Sequence, residues 1–226
     1  MCLLGSAKRY SNTVSKVANV DIDRKMKMKY NKYEKTILTD CDGVLLDWEW
    51  AFNCWMIQHG FETTEGYQFK YDMAERYGIT KEQVKKLIKQ FNESAAIGFL
   101  PVLRDAMYWV KRLHEQHGYT FICITSLSLD KNAAKLREMN LQKMFGKTAF
   151  KKVICLDTGA DKDKALSKYE GSNCYWLEDK PENAQAGLQF GLRPILMEHG
   201  HNMNYEHTDI HTVKNWEQLY QYVTKG

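Results

Sequence analysis

The amino-acid sequence predicts an α/β fold, a doubly wound parallel sheet with a small helical segment inserted after the first strand. Three observations lead there. From Lys35 onward, short apolar runs alternate with longer amphipathic stretches. The runs are continuous rather than alternating, as expected of strands covered on both faces. The helix-period stretches between them supply the right-handed crossovers that join parallel strands.

Taken in order, residues 1–33 are rich in Ser, Asn and Lys and carry neither helical nor strand periodicity. They read as a disordered or loosely attached leader. Met26 and Met28 stand just before the first organised segment, so a start site there is a possibility the sequence leaves open. Strands are expected at Thr36–Thr39, 121–125, 153–156, 174–177 and 194–197. Behind Pro101, taken as the first turn, Val102, Leu103, Ala106, Trp109, Val110 and Leu113 share one helical face, and Gly118 marks the end. Trp216, Leu219, Tyr220 and Val223 repeat that spacing in a closing helix expected to dock on the sheet.

Residues 47–99 interrupt this rhythm with a helical block, read as a cap inserted into a core made of residues 34–46 and 100–226. Its last part opens with a capping box, Thr80 to Gln83, followed by Val84, Leu87, Ile88 and Phe91 on one stripe. Its first part is unusually aromatic: Trp48, Trp50, Phe52, Trp55, Phe61, Tyr67, Phe69 and Tyr71.

Composition narrows the function classes. With 44% hydrophobic and 27% charged residues, the chain matches an ordinary globular protein rather than a disordered one. No apolar run approaches the roughly 20 residues a membrane helix needs, so no membrane association is expected. Much of the net charge of +4 sits between Arg24 and Lys32. Without aromatic-basic alternation beyond it, that run reads as a solvated tail, and no nucleic-acid polymer is expected as partner. Six cysteines without a Cys-x-x-Cys pair, three of them inside strand-like runs, suit reduced buried thiols in the cytoplasm. The first ten residues lack a secretory apolar region. His199, His201, His207 and His211 lie in a polar segment without neighbouring cysteines and read as a surface loop rather than a transition-metal site.

The chemistry concentrates at strand ends. Thr36 to Thr39 runs into Asp40-Cys41-Asp42-Gly43. Two carboxylates two apart on a strand point to opposite faces unless the chain turns, and Gly43 permits the turn. Both acids then reach the C-terminal edge, where α/β sheets bind ligands. One can attack phosphorus while the other handles the leaving-group proton. The second strand ends in Thr125-Ser126, whose hydroxyls suit a phosphoryl oxygen, and the fourth in Glu178-Asp179-Lys180-Pro181. Carboxylates from the first and fourth strands make an oxygen site suited to Mg²⁺. Asp161-Lys162-Asp163-Lys164 offers two lysines to neutralise a transferring phosphoryl group.

These four segments, in this order and each associated with a strand end, resemble the four motifs of the haloacid dehalogenase superfamily, over residues 36 to about 200. The resemblance implies a Rossmann-like core in which Asp40 forms an aspartyl-phosphate and Asp42 protonates the leaving oxygen and then activates water. It also implies that Asp40, the Asp42 carbonyl and Asp179 bind Mg²⁺, with Gly43, Thr125 and Ser126 on the substrate. The acid two residues after the nucleophile resembles the phosphatases and phosphomutases of that superfamily rather than its dehalogenases, with a phosphomutase kept as a minor third alternative. The run Phe121 to Ser126 and the acid pair further resemble 5'(3')-deoxyribonucleotidases, phage-type versions included, which usually carry two aspartates where this chain has Glu178-Asp179. Lys162 is favoured over Lys164 because Asp161-Lys162 resembles the nucleotidase pattern.

The aromatic block invites base stacking, with Trp48 and Phe52, four apart on one helical face, as the candidate substrate contacts; the simpler reading is that most of these rings form the cap's own core. The resulting expectation is a phosphomonoesterase acting on a small-molecule phosphate ester, a nucleoside monophosphate first. A sugar-phosphate or phosphoglycolate-type phosphatase is the alternative within the superfamily. A catalytically inactive phosphate-binding module is the alternative outside enzymology.

Overall fold

A computed structural model of the protein describes residues 32–225; the expected leader lies almost entirely outside them. Six strands form one parallel sheet: β1 (Thr36–Thr39), β2 (Thr120–Thr125), β3 (Phe150–Cys155), β4 (Tyr175–Glu178), β5 (Arg193–Met197) and β6 (His211–Val213). Their order is β3-β2-β1-β4-β5-β6, every pairing parallel. The chain therefore runs outward from β1 in one direction and, after β3, returns to its other side. This places a topological switch between β1 and β4.

The continuous apolar runs are explained by what each strand touches. Ile37 of β1, Phe121 and Cys123 of β2, and Tyr175 and Leu177 of β4 join one core, while the alternate residues Leu38, Ile122, Ile124 and Trp176 join a second. Alternation thus divides apolar residues between two buried faces. The larger core is closed by α1 (Trp48–Gln58), α3 (Lys81–Asn92), α4 (Ala106–His117), α5 (Lys131–Phe145) and α8 (Trp216–Lys225). The short α6 (Asp163–Leu166) and α7 (Pro181–Gln189) cover the other face. Between β1 and β2 the chain also forms α2 (Met73–Tyr77), with 3-10 turns at Tyr67–Phe69 and Ala95–Phe99.

Local signals account for several boundaries. Both halves of the capping box at Thr80 and Gln83 are formed at the start of α3, and Pro181 occupies the first turn of α7. Gly118, at φ 70°, ends α4 in the left-handed conformation. The start of α4 corrects the sequence reading, which put the helix behind Pro101. Val102 instead bridges Leu46, the Leu103 amide donates to the Leu45 carbonyl at 2.9 Å, and the Asp47 amide donates to the Pro101 carbonyl at 2.9 Å. Residues 101–103 are thereby stitched to the chain leaving β1 and cannot wind into a helix. The helical spacing of Val102 and Leu103 reflects burial alone.

Two strands also differ from expectation. β3 begins at Phe150 rather than 153, because exposed Lys151 and Lys152 at the sheet edge mask the pattern. β6, with the sequence His-Thr-Val, has too little apolar character to be seen. Asp105, at the head of α4, accepts hydrogen bonds from the amides of Trp216 and Glu217, both at 3.0 Å, and so caps α8.

Candidate active site

Asp40 follows β1 directly and its amide donates to the Leu177 carbonyl of β4 at 2.8 Å, so the nucleophile candidate sits at the switch point. After Asp40 the chain turns sharply. The amides of Leu45 and Leu46 donate to the Cys41 carbonyl at 2.8 and 2.9 Å, and Gly43 adopts φ 73°. A Cβ at Gly43 would lie 2.4 Å from Asp179 Oδ2. Glycine is therefore required twice, for the left-handed turn and for the approach of the β4 carboxylate to the residue after Asp42. This turn brings acids from β1 and β4 together, and ligand oxygens of Asp40, Glu178 and Asp179 all lie within 4.8 Å of one another.

The charges in this cluster are already partitioned. Lys162, just ahead of α6, is almost fully buried and places Nζ 2.6 Å from Asp40 Oδ2 and 2.5 Å from Glu178 Oε1. Burial works against its charge, but the carboxylates of Asp40 and Glu178 outweigh it and hold the lysine above its ordinary pKa. Lys164 is exposed. Glu178 is saturated: Oε1 also accepts from Asn183 at 2.9 Å, and Oε2 from the amides of Asp179 and Lys180 at 3.1 and 3.0 Å. It serves as a buried counter-ion that orients Lys162 and the end of β4.

Asp179 is the reverse. Among the described residues its carboxylate accepts no hydrogen bond, and the one basic side chain within 4 Å of it is His201, whose Nε2 lies 3.9 Å from Oδ2. Burial first, then the charges of Glu178 and Asp40, push its pKa well above the usual carboxylate range. An unpartnered carboxylate beside Asp40, pressed against the Asp42-Gly43 turn, is a site that a hard dication would satisfy. The all-oxygen donor set fits Mg²⁺.

Asp42 faces the other way. Arg137 of α5, fully buried, donates from Nη1 to Oδ1 and from Nη2 to Oδ2 at 3.1 Å, and also contacts Cys41 Sγ at 2.9 Å. Burial raises the Asp42 pKa, with Arg137 opposing it and the Asp40 charge adding to the rise. Thr125 Oγ1 lies 3.4 Å from Asp42 Oδ2, whereas the Ser126 hydroxyl donates to the Ala160 carbonyl at 2.7 Å.

A cavity of about 690 Å³ opens above these groups, a size suited to a small organic ligand. Asp40, Asp42, Gly43, Thr125, Ser126, Lys162 and Asp179 line its floor. Trp48, Trp50, Tyr67 and Tyr71 line the walls, with Trp50 and Tyr71 each more than half exposed. Trp48 fixes its indole by donating Nε1 to Asn92 Oδ1 at 2.9 Å, and Asn92 in turn donates to the Leu127 carbonyl at 2.9 Å.

Phe52 does not reach the cavity, which corrects its assignment as a substrate contact. It is fully buried, stacked on Trp48 at 4.7 Å, and packed against Trp55, Tyr77 and Phe91. Trp48 and Phe52 do share a face of α1, but that face turns into the core. Trp48 reaches the cavity because it stands at the helix start.

The histidines also depart from a uniform surface loop. His211 is exposed and His207 half-buried, and neither lines the cavity, but His199 and His201 do. His199 Nε2 bonds the Gly43 carbonyl at 2.7 Å, and His201 Nε2 bonds the Asp179 carbonyl at 3.3 Å. Since carbonyls only accept, both nitrogens carry hydrogen. Burial lowers the His199 pKa to about 4, so two neutral imidazoles brace the backbone on either side of the acid cluster. Arg137 gave no signal in the sequence, being one basic residue on a helix full of them. The histidines were visible, but not their direction.

No protein-family model matches the chain. An uncharacterised 32.4 kDa protein in the Gp30-rIII intergenic region of Enterobacteria phage T4 is 27% identical over 139 residues, which is 59% of this chain and 49% of that protein. The chain thus spans about half the length of this curated relative. Among solved structures, a haloacid dehalogenase-like family hydrolase from Streptococcus pneumoniae superposes with TM-score 0.57 at 14% identity, covering 83% of this chain and 97% of that one. CbbY from Rhodobacter sphaeroides, in complex with phosphate, gives 0.54 at 17% identity over 82% and 96%. D,D-heptose 1,7-bisphosphate phosphatase from B. bronchiseptica, complexed with magnesium and phosphate, gives 0.51 at 10% identity over 84% and 98%. Among the described residues no helix is long and apolar enough to cross a membrane. With its six-stranded parallel sheet, flanking helices and acidic switch point, the chain has the fold of the haloacid dehalogenase-superfamily hydrolases.

Proposed function

We propose that the protein is a cytoplasmic, Mg²⁺-dependent phosphomonoesterase that acts through an aspartyl-phosphate on Asp40, with nucleoside monophosphates as substrate class and residues 47–99 serving as its cap. The observation that carries this reading is Asp40 itself, held at the switch point by Lys162 and facing a cavity of ligand size. An oxygen of Asp40 attacks phosphorus, the ester P–O bond breaks, and Asp42 gives its proton to the departing oxygen. Water then attacks the phosphorus of the aspartyl-phosphate, Asp42 takes its proton, and the Asp40 carboxylate is released with inorganic phosphate. Lys162 neutralises the phosphoryl charge while Thr125 and Ser126 present hydroxyls, the latter after leaving the Ala160 carbonyl. Asp40, Asp179 and the Asp42 carbonyl are the groups to hold Mg²⁺, which when bound supplies further neutralisation of phosphoryl charge.

The aromatic lining of the cavity supports a nucleoside, and of its cations Lys180 lies 5.6 Å from the Tyr71 ring while two arginines are committed elsewhere. Arg76 pairs with Glu49 and Arg104 bonds the carbonyls of Lys214 and Glu198, so neither arginine is free for a carboxylate or second phosphate. Trp50 and Tyr71, by contrast, expose ring surface on which a base can stack. A sugar-phosphate reading keeps one support, the presence of a sugar-bisphosphate phosphatase among the structural neighbours. The test is phosphate release from deoxy- and ribonucleoside monophosphates, sugar phosphates and phosphoglycolate, with Mg²⁺ and with chelator, for wild type and Asp40→Asn. Nucleotide turnover that disappears in Asp40→Asn and in chelator is expected, with a loss on the order of 10³-fold or more. Turnover confined to sugar phosphates moves the substrate class, and no turnover of any ester by wild type leaves a phosphate-binding module.

A further inference from the structure

We propose that Arg137 is a positioning residue that sets the Asp42 carboxylate for its proton transfers, and that it matters most when the phosphoenzyme is hydrolysed. The inference rests on the proposed phosphomonoesterase reading and deepens it.

Arg137 lies in the middle of α5, 95 residues away in sequence from Asp42, with 0% of its side chain exposed. Burying a guanidinium is costly unless its charge is met. The only carboxylate that meets it among the described residues is Asp42, gripped through both oxygens. Its Nε is buried without a partner, so the fold leaves one donor unsatisfied here while keeping the two-oxygen grip. A side chain that served only to anchor α5 would not need to end on the acid/base candidate; α5 is already anchored by Leu141 and Phe145 in the core and by its Asp130 cap.

The two-point contact fixes the plane of the carboxylate as well as its position. The Thr125 hydroxyl, 3.4 Å from Oδ2, is a weak third contact. Asp42 also lines the cavity, so a carboxylate fixed by two contacts would meet the attacking water without searching rotamers. Loss of orientation costs most in the step that depends on that oxygen. With 4-nitrophenyl phosphate the leaving group departs without protonation, so the first step tolerates a misplaced Asp42 and the second does not.

The test is rapid-quench kinetics with 4-nitrophenyl phosphate on the full chain, comparing wild type, Arg137→Met and Arg137→Lys, each alone and with Asp42→Asn. We expect nitrophenol to appear in a burst, with phosphoenzyme formation within about threefold of wild type and its hydrolysis slowed about 10- to 100-fold, a fraction of a full general-base contribution. With Asp42→Asn present, the Arg137 change should add little. Arg137→Lys retains charge without the two-point grip, so it should still slow hydrolysis, and it carries the test if Arg137→Met fails to fold. Equal slowing of both steps, full additivity with Asp42→Asn, or wild-type hydrolysis in Arg137→Lys would overturn the proposal while leaving the phosphatase reading intact. A wild type that forms no phosphoenzyme and turns over no ester would overturn both.

Discussion

The floor of the cavity and the helical block beside it are built on opposite plans. On the floor, nearly every polar atom is committed: Glu178 to four donors, Lys162 to two carboxylates, Asp42 to Arg137, and the Gly43 and Asp179 carbonyls to histidines. Among the described residues, the Asp179 carboxylate accepts no hydrogen bond and is the acid of the floor left unpaired. In the block, aromatic bulk does the work, and Phe52, Phe91 and Tyr77 pack together while Trp50 and Tyr71 stay open. On the proposed function, chemistry would fall to a polar frame of paired groups and substrate shape to rings supported by an apolar cluster. The same residue class has different duties on the two sides of one helix.

Mutations can break or sharpen that contrast. The largest effect is expected from Lys162→Met, which leaves Asp40 and Glu178 facing each other without a cation. Phosphate release should fall by about 10²- to 10³-fold, and denaturant unfolding should show a loss of about 3–5 kcal/mol. If stability is untouched, the floor is less tightly coupled than its distances imply.

Phe52→Ala and Trp50→Ala separate the two sides of α1. Removing the buried ring should cost about 3–5 kcal/mol of stability with little change in KM for the folded enzyme. Removing the exposed one should leave stability within about 0.5 kcal/mol yet raise KM for nucleotides by about 5- to 100-fold. Unchanged nucleotide KM in Trp50→Ala would remove that ring from the substrate site.

Gly43→Ala tests the join between β1 and β4. The left-handed φ and the contact with Asp179 Oδ2 together should cost about 1–3 kcal/mol, and turnover should drop at least about tenfold because the displaced group is a proposed metal ligand.

The smallest effect is a pH effect. His199 titrates near 6.5 when unfolded and at about 4 when folded. As pH falls below 6.5 the unfolded chain takes a proton that the native state refuses, so stability declines down to about pH 4 and no further from this group. His199→Gln keeps a donor for the Gly43 carbonyl and removes the titration. It should retain about 1–2 kcal/mol more of its neutral-pH stability at pH 5, read from denaturant midpoints. Parallel acid limbs in the two proteins would show that His199 is not held neutral.

Legibility followed range. Strand positions, the capping box at Thr80 and the glycine turn were readable because each depends on neighbours a few residues away. β6 and the true start of α4 were not, since His211 to Val213 has little apolar character and Val102 is drawn from helix by a bridge to Leu46. Asp40, Asp42, Lys162 and Asp179 could be named as a set from strand ends and the resemblance they carry. Arg137 could not, because nothing within α5 distinguishes an arginine that turns inward.

By itself the sequence determined the parallel α/β architecture and which carboxylates stand at its open edge, because apolar period and chain reversal at glycine are local properties. Only the tertiary structure decided that Glu178 is spent on Lys162 while the Asp179 carboxylate is left without a hydrogen bond among the described residues, that Phe52 turns inward while Trp50 does not, and that Arg137 grips Asp42. Those outcomes depend on which groups from distant segments compete for the same few ångströms, and burial makes each unsatisfied charge too costly to leave to chance.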